Sequence, residues 1–514
     1  MKTFAVFLIP IIIIGVLLNY KKEPEIADLL QSRLNNKIYR QFNKLTFDSV
    51  FTSQLEDLSK ADVNISKLKA YYNINGTQPT LVIKFFADNS LDSLVKYLNK
   101  STEHGINPKI FHVKEVSELI DKLKVNQFKS VDETYPLLAR LEILSAHALT
   151  RYTSYLKFGL VNPKDIFLRY YIKIKREDSL FVQGILNSEV IIDTLRSVQN
   201  ISSQYKALQQ AYLKTESDST KKILMVNMER LRWQLPLNSD KFIQVNIPDF
   251  RLVYLDGNDT LTTMKVCVGG RRDLDFDKKL KIYEKTGDIE DKPENLETPL
   301  LVSNIQKLYT NPVWNIPESI VQTEIYTMAR RNSSYLKRKN IAVYHKTKQI
   351  KNPASIRWYK YDRKKIPFLF VQQPGSDNSL GRLKFIFPNS NSVYLHDTNF
   401  KQGFKLKNRA ISHGCIRLEH PLNLAKLLVG DTLKYDEIRK ELKLKPLYTK
   451  VDKSLPAKNI DDKKELLPAL FKPKAETPLI ITYITAWAQN DRIEYRSDVY
   501  GMDEKLWLAM KKFR

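Results

Sequence analysis

Apolar residues recur at three- and four-residue intervals from about Glu25 to Trp233, as in Tyr135–Leu149, and few glycines interrupt them. This is the period with which an α-helix turns one face to a core. Residues 24–240 are therefore expected to form a mostly helical scaffold domain. The polar segment Thr215–Lys222 reads as a loop, followed by a further helix from Ile223 to Trp233 that ends before Pro236.

Near Phe242 the period changes to strict alternation. Phe250–Leu255, the turn Asp256-Gly-Asn-Asp259 and Leu261–Val268 give the pattern of strand, Asp-Gly turn and strand. Further strands are expected at Leu383–Phe387, Ser392–His396 and Leu479–Trp487, with a turn at Gln489–Asp491 leading to Ile493–Tyr495. The chain thus reads as α+β and multidomain, with a β-rich domain over residues 241–514. A long insertion, residues 300–375, interrupts that domain, with a helix expected after Pro317. Long insertions in compact domains often serve as lids. Residues 451–474, rich in Lys and Asp and broken by three prolines, read as a surface excursion.

At the N-terminus an apolar run from Phe4 to Leu18 follows Lys2 and precedes Lys21 and Lys22. No small-residue cleavage site follows, so residues 1–23 are expected to be an uncleaved membrane anchor, placing the rest of the chain in the periplasm or cell envelope. The 514 residues carry a formal charge of +26, spread along the whole chain without a zinc-finger or aromatic RNA-binding signature. Nucleic acid is therefore not the expected partner. Outside the membrane such a surface meets anionic polymers, carboxylates or lipid headgroups. Two cysteines exclude a disulfide framework, and Cys267, inside an apolar strand, reads as a small hydrophobe.

The other cysteine has company. His396, His413 and His420 bracket Cys415 within 25 residues, in Ser392-Val-Tyr-Leu-His-Asp397 and Ile411-Ser-His-Gly-Cys-Ile-Arg-Leu418. A thiol attacks as its thiolate, and an imidazole that takes its proton both forms and stabilises the anion. Either His396, at the end of an alternating strand, or His413, two residues from Cys415, has the chemistry to serve. The backbone N–H groups of Gly414 and Cys415 are candidate oxyanion donors. A zinc site built from His396, His413 and Cys415 fits no standard ligand spacing and lacks a fourth ligand, so no metal and no cofactor are expected. His420, ahead of Pro421, reads as the cap of a helix that stops at Gly430.

His396, fifteen intervening residues and then Ser412-His-Gly-Cys415 with Ile416 and Arg417 resemble the signature of L,D-transpeptidases of the YkuD type. The likeness extends to Gln244–Leu252, Asn311–Pro317, Gly381–Phe385, Phe387–Asn389 and Ile484–Trp487, which are similar to the large subgroup with a helical scaffold and a substrate-capping insertion. The resemblance implies that Cys415 is the acylated nucleophile and His396 the general base. It further implies that the Asp397 carbonyl orients the imidazole, that Arg417 is the motif arginine, and that Ser412, His413 and Gly414 support the oxyanion side. Tyr394, Trp314 and Arg409 are the candidate substrate contacts. The small peptidoglycan-binding module of that subgroup has no counterpart beyond Thr215–Lys222.

The activity so implied is formation of peptidoglycan cross-links through a thioester on the third residue of a tetrapeptide donor stem, with stem peptides as the partners. Two other readings stay open on the residues alone. One is a hydrolase, a carboxypeptidase or endopeptidase, using the same Cys-His site. The other is a non-catalytic wall-binding scaffold protein.

Overall fold

The structure is a computed structural model that describes residues 25–61, 65–237, 239–288, 290–449 and 466–514. The N-terminal anchor expectation, and residues 451–465 of the expected excursion, lie outside the described residues. Among the described residues no helix is long and apolar enough to cross a membrane.

The chain divides into two compact units. The first takes the chain up to Ser101, Pro108–Thr153 and Glu177–Val198 and is helical. Its centre is the helix Thr134–Phe158, whose apolar face is wholly buried at Leu138, Leu141, Leu144 and Leu149. Glu142 in this helix is also buried, yet it is satisfied. It accepts from the N–H groups of Leu81 (3.2 Å) and Val82 (3.0 Å) at the start of the helix Thr80–Phe85, and from the Tyr72 hydroxyl (2.9 Å). Burial pushes this carboxyl up to about 7.

The second unit takes Thr102–Asn107, Ser154–Arg176 and Gln199–Arg514. The helix Asp218–Arg232 belongs to it. This helix begins earlier than the sequence pattern suggested, because Ser217 caps it by accepting from Thr220 N–H and Asp218 opens its first turn. The expected loop therefore ends at Ser217. Within the helix, Glu229 and Arg232 form a fully buried ion pair at 3.0 Å, and Glu229 also accepts from the amides of Leu160 (2.7 Å) and Val161 (3.1 Å).

Strands β1 (Lys241–Asn246), β2 (Arg251–Asp256), β3 (Asp259–Gly269), β4 (Leu301–Ile305) and β5 (Lys307–Thr310) come first in the β-rich part. The insertion supplies β6 (Trp314–Asn315), β7 (Ile341–His345), β8 (Lys348–Gln349) and β9 (Phe368–Gln372). After it come β10 (Leu383–Ile386), β11 (Leu395–His396), β12 (Ala410–Ser412), β13 (Ile416–Leu418), β14 (Ala469–Phe471) and β15 (Thr477–Thr482). The central sheet runs β14-β5-β10-β11-β13-β3-β2-β1-β15-β4, with β12 attached to β3. Strands β4 and β5 thus belong to this sheet, and the separate sheet of the insertion, β6-β9-β7-β8, starts only at Trp314. Likewise β14, from the stretch read as an excursion, forms the sheet edge against β5.

The expected hairpin is present as β2 and β3, with Gly257 at φ 58° in the turn. The last expected strand is broken: β15 ends at Thr482, and Ala486–Gln489 pairs instead with Arg492–Tyr495 across Asn490 and Asp491, both left-handed. In the insertion, Leu336, Val343, Trp358 and Phe370 form a core of their own. Its helical stretch after Pro317 contains a π-turn at Val321–Ile325.

Candidate active site

Strands β11 and β13 are parallel neighbours, with Leu395 opposite Ile416 and His396 opposite Arg417. On its other side β11 pairs with β10, where Lys384 lies opposite His396. Cross-strand partners share a face of a sheet, so Lys384, His396 and Arg417 stand in a row across three strands. Cys415 precedes β13, and the Ile416 N–H bonds to the Tyr394 carbonyl at 3.1 Å, which sets the thiol beside Tyr394. Tyr394 and His396, two residues apart, lie on one face with ring centroids 5.6 Å apart.

The turn that delivers Cys415 is fixed from several directions. Ser412 Oγ accepts from Gly414 N–H (3.1 Å) and donates to the Cys415 carbonyl. The Gly414 carbonyl accepts from Thr298 Oγ1 (2.8 Å), which in turn accepts from Gly269 N–H (2.8 Å). Gly414 has φ 115°, a conformation that disfavours any Cβ. Gly269 is required by proximity instead: a Cβ there would lie 1.8 Å from the Leu296 carbonyl oxygen.

The His396 side chain is buried, and its Nδ1–H donates to the Asp397 carbonyl. That bond leaves Nε2 as the basic nitrogen. The Asp397 carboxylate accepts from Arg382 N–H (2.9 Å) and from Lys401 Nζ (2.5 Å), which anchors the residue whose carbonyl holds the ring. Burial, with the charges of Arg417 and Lys384 beside it, pushes the imidazole down to about 3. Burial also pushes the Cys415 thiol up, against the Tyr394 hydrogen bonds, Lys384 and Arg417. Both groups therefore rest neutral at pH 7. This differs from the expected thiolate and imidazolium: burial penalises the charged form of both groups, and the neighbouring cations add to the cost of a positive charge on His396.

Residues 240–439 match the model of the YkuD L,D-transpeptidase catalytic domain, and residues 66–211 that of the scaffold domain. The chain carries a YkuD-type catalytic domain. It is also 29% identical over 294 residues to a Haemophilus influenzae protein named "Putative L,D-transpeptidase". That stretch covers 57% of this chain and 50% of the relative, so the chain spans about half the length of the curated relative it matches.

Around Cys415 of the YkuD-type domain the expected residues separate into two groups. Cys415, His396, Tyr394, Arg417, Asp397, Ser412 and Gly414 come together as described. The Gly414 amide, however, is engaged by Ser412 Oγ, so it is not the free oxyanion donor expected of it. His413 turns away to the insertion: its Nε2 lies 2.9 Å from Glu324 Oε1 in the π-turn. Trp314 also reaches in from the insertion, its indole N–H donating to the Tyr394 hydroxyl, which is itself bonded to Cys415. Arg409 is not free for a substrate. Its guanidinium bonds the carbonyls of Val266 (3.2 Å), Leu406 (3.0 Å) and Phe250 (3.3 Å) and covers the Phe250 ring.

Two residues of the YkuD site went unnoticed in the sequence. Lys384 sits with Nζ 3.9 Å from the Tyr394 ring centroid, and burial lowers its pKa. Its signal was available, as the lone cation at an alternating position of Leu383-Lys-Phe-Ile386. Glu324 had no spacing to mark it, since it meets His413 only through the insertion's fold. His420 occupies the N-cap position of the helix Pro421–Val429, without a side-chain bond to its first turn. Cys267 is buried opposite Arg417 in β3.

Proposed function

We propose that the protein is an L,D-transpeptidase of the cell envelope that cross-links peptidoglycan stem peptides through a Cys415 thioester. The observation that carries this reading is the row Lys384, His396, Arg417, with the thiol of Cys415 held beside it by Tyr394. Cys415 Sγ attacks the carbonyl carbon of the third residue of a donor tetrapeptide as its proton passes to His396 Nε2. The C–N bond to the terminal D-amino acid then breaks, and the imidazolium returns that proton to the departing amine. An acceptor amine attacks the thioester next. Its proton goes through His396 to the sulfur as the C–S bond breaks, giving a 3→3 link.

The cations on either side of His396 suit this cycle. Together with burial they keep the imidazole neutral and able to accept, and they stabilise the sulfur anion and the oxyanion as these develop. In this reading the Cys415 amide and the Tyr394 hydroxyl donate to that oxyanion.

The test is to incubate the full protein with disaccharide-tetrapeptide and analyse protein and products by mass spectrometry. The expected result is an adduct on Cys415 that has lost the terminal residue, together with cross-linked dimer. Cys415→Ala should abolish both while circular dichroism is unchanged. Products formed only by addition of water would identify a hydrolase instead, and adduct formation in Cys415→Ala would overturn the assignment.

A further inference from the structure

Within the second unit, away from the cysteine, a cavity of about 130 Å³ is walled by Phe167, Tyr170, Trp233, Leu300 and Tyr483, with Arg230 among its lining residues. Its wall is strongly aromatic: Tyr170 and Trp233 meet edge to face with centroids 5.8 Å apart. An apolar cavity of about 150 Å³ holds benzene, so this slightly smaller one admits a ligand of about six heavy atoms.

Two polar atoms of this lining have no hydrogen-bond partner among the described residues: the Tyr170 hydroxyl and Arg230 Nη2. Both side chains are more than nine-tenths buried, at 6% and 7% exposed. Arg230 Nη1 bonds Asn227 Oδ1 (3.2 Å) and Thr485 Oγ1 (3.4 Å) and pairs in charge with Asp503 Oδ1 at 2.6 Å, while Nη2 is left over. A buried donor without an acceptor keeps its full desolvation penalty, so two around one apolar cavity ask for an oxygen there.

The charge balance narrows the ligand. Arg230 is already neutralised by Asp503, itself buried, so a carboxylate entering the cavity would add an uncompensated negative charge. A neutral carbonyl oxygen accepts from both donors without that cost. We propose that this cavity is a binding site for a small neutral amide or ester, with a short branched aliphatic body against Phe167, Trp233 and Tyr483. Its carbonyl oxygen accepts from Arg230 Nη2 and the Tyr170 hydroxyl.

The cavity shares a chain segment with the nucleophile's support. Leu300, in its wall, pairs with the backbone around Tyr170, through Leu300 N–H to the Arg169 carbonyl (2.9 Å) and Tyr171 N–H to the Leu300 carbonyl (2.8 Å). Two residues earlier, Thr298 holds the Gly414 carbonyl.

The test uses isobutyramide as the probe, titrated into the full protein by calorimetry and ligand-observed NMR, with isobutyrate as the charged counterpart of the same shape. Saturable binding of isobutyramide is expected, with isobutyrate at least about ten-fold weaker. Tyr170→Phe should weaken isobutyramide by about ten-fold, and Cys415→Ala should leave it unchanged. Absence of saturation up to the solubility limit, equal binding in Tyr170→Phe, or loss of binding in Cys415→Ala would each overturn the site. Tighter binding of isobutyrate would overturn the neutral-ligand assignment. The wild-type comparison of the two probes does not depend on any variant folding.

Discussion

His413, two residues before Cys415, is bonded to Glu324 in the π-turn of the insertion, Nε2 to Oε1 at 2.9 Å. With Trp314 bonded to Tyr394, this gives the insertion two polar holds on the site, one on the cysteine's turn and one on the tyrosine that touches the thiol. π-turns are frequent where function interrupts a helix.

Glu324→Gln is therefore expected to slow acylation of Cys415 by roughly five-fold, about 1 kcal/mol of barrier. Both side chains are partly exposed, and such pairs contribute only about 0–1 kcal/mol to stability. The melting temperature should stay nearly constant while the acylation rate falls; an equal loss of both would make the pair merely structural.

Lys384→Met removes one of the two cations flanking His396. The imidazole should then titrate at higher pH, since a positive neighbour is gone, while the Cys415 thiol should titrate higher still for the same reason. NMR of the imidazole reads the first shift, and the pH dependence of Cys415 alkylation reads the second. Shifts in opposite directions would contradict the row of charges described above.

His396 also links stability to pH. Its folded pKa, about 3, lies below the ordinary value of 6.5, so between these values the unfolded chain binds a proton that the folded chain refuses. Stability is unaffected above pH 6.5 and falls as pH drops from 6.5 toward 3, by on the order of 5 kcal/mol in full. The loss of melting temperature between pH 7 and pH 4.5 should be smaller in His396→Asn than in the wild type.

Gly414→Ala has room for its methyl group, the Leu296 carbonyl oxygen and Val393 Cγ1 lying 3.7 Å away, but must adopt φ 115°. A strain of about 1–3 kcal/mol is expected, released by moving the turn and with it the thiol. Acylation should fall sharply while circular dichroism is retained. Gly269→Ala, by contrast, meets a backbone oxygen at 1.8 Å and should prevent normal folding of the catalytic domain.

Glu229→Ala leaves Arg232 buried without its counter-charge and strips acceptors from the Leu160 and Val161 amides. A loss of about 3–5 kcal/mol is expected, visible as a lower midpoint in urea.

The helical first part, the hairpin at Gly257 and the helix from Pro421 were legible because each is set by local period, turn chemistry or a cap. Cys415, His396 and Asp397 were legible because the strand and turn that carry them are short and close in sequence. Lys384 and Glu324 were not singled out, since each reaches the site through pairing or packing across a long stretch of chain. Strand β14 was hidden by its charged, proline-rich surroundings. Its three residues gain their place from the open edge of β5 and not from a pattern of their own. Arg409 was misread because a cation near a nucleophile suggests a substrate, whereas its planar fork serves as a backbone brace.

The two thiols of this chain differ in access. Cys267 is sealed within β3 and burial raises its pKa, whereas Cys415 is partly open to solvent. A small alkylating reagent added to the native protein should thus count one sulfur, and a second equivalent consumed would signal that the sheet has opened. The molecule contains its own two-channel gauge, one sulfur reporting occupancy of the reaction centre and the other the integrity of the scaffold around it.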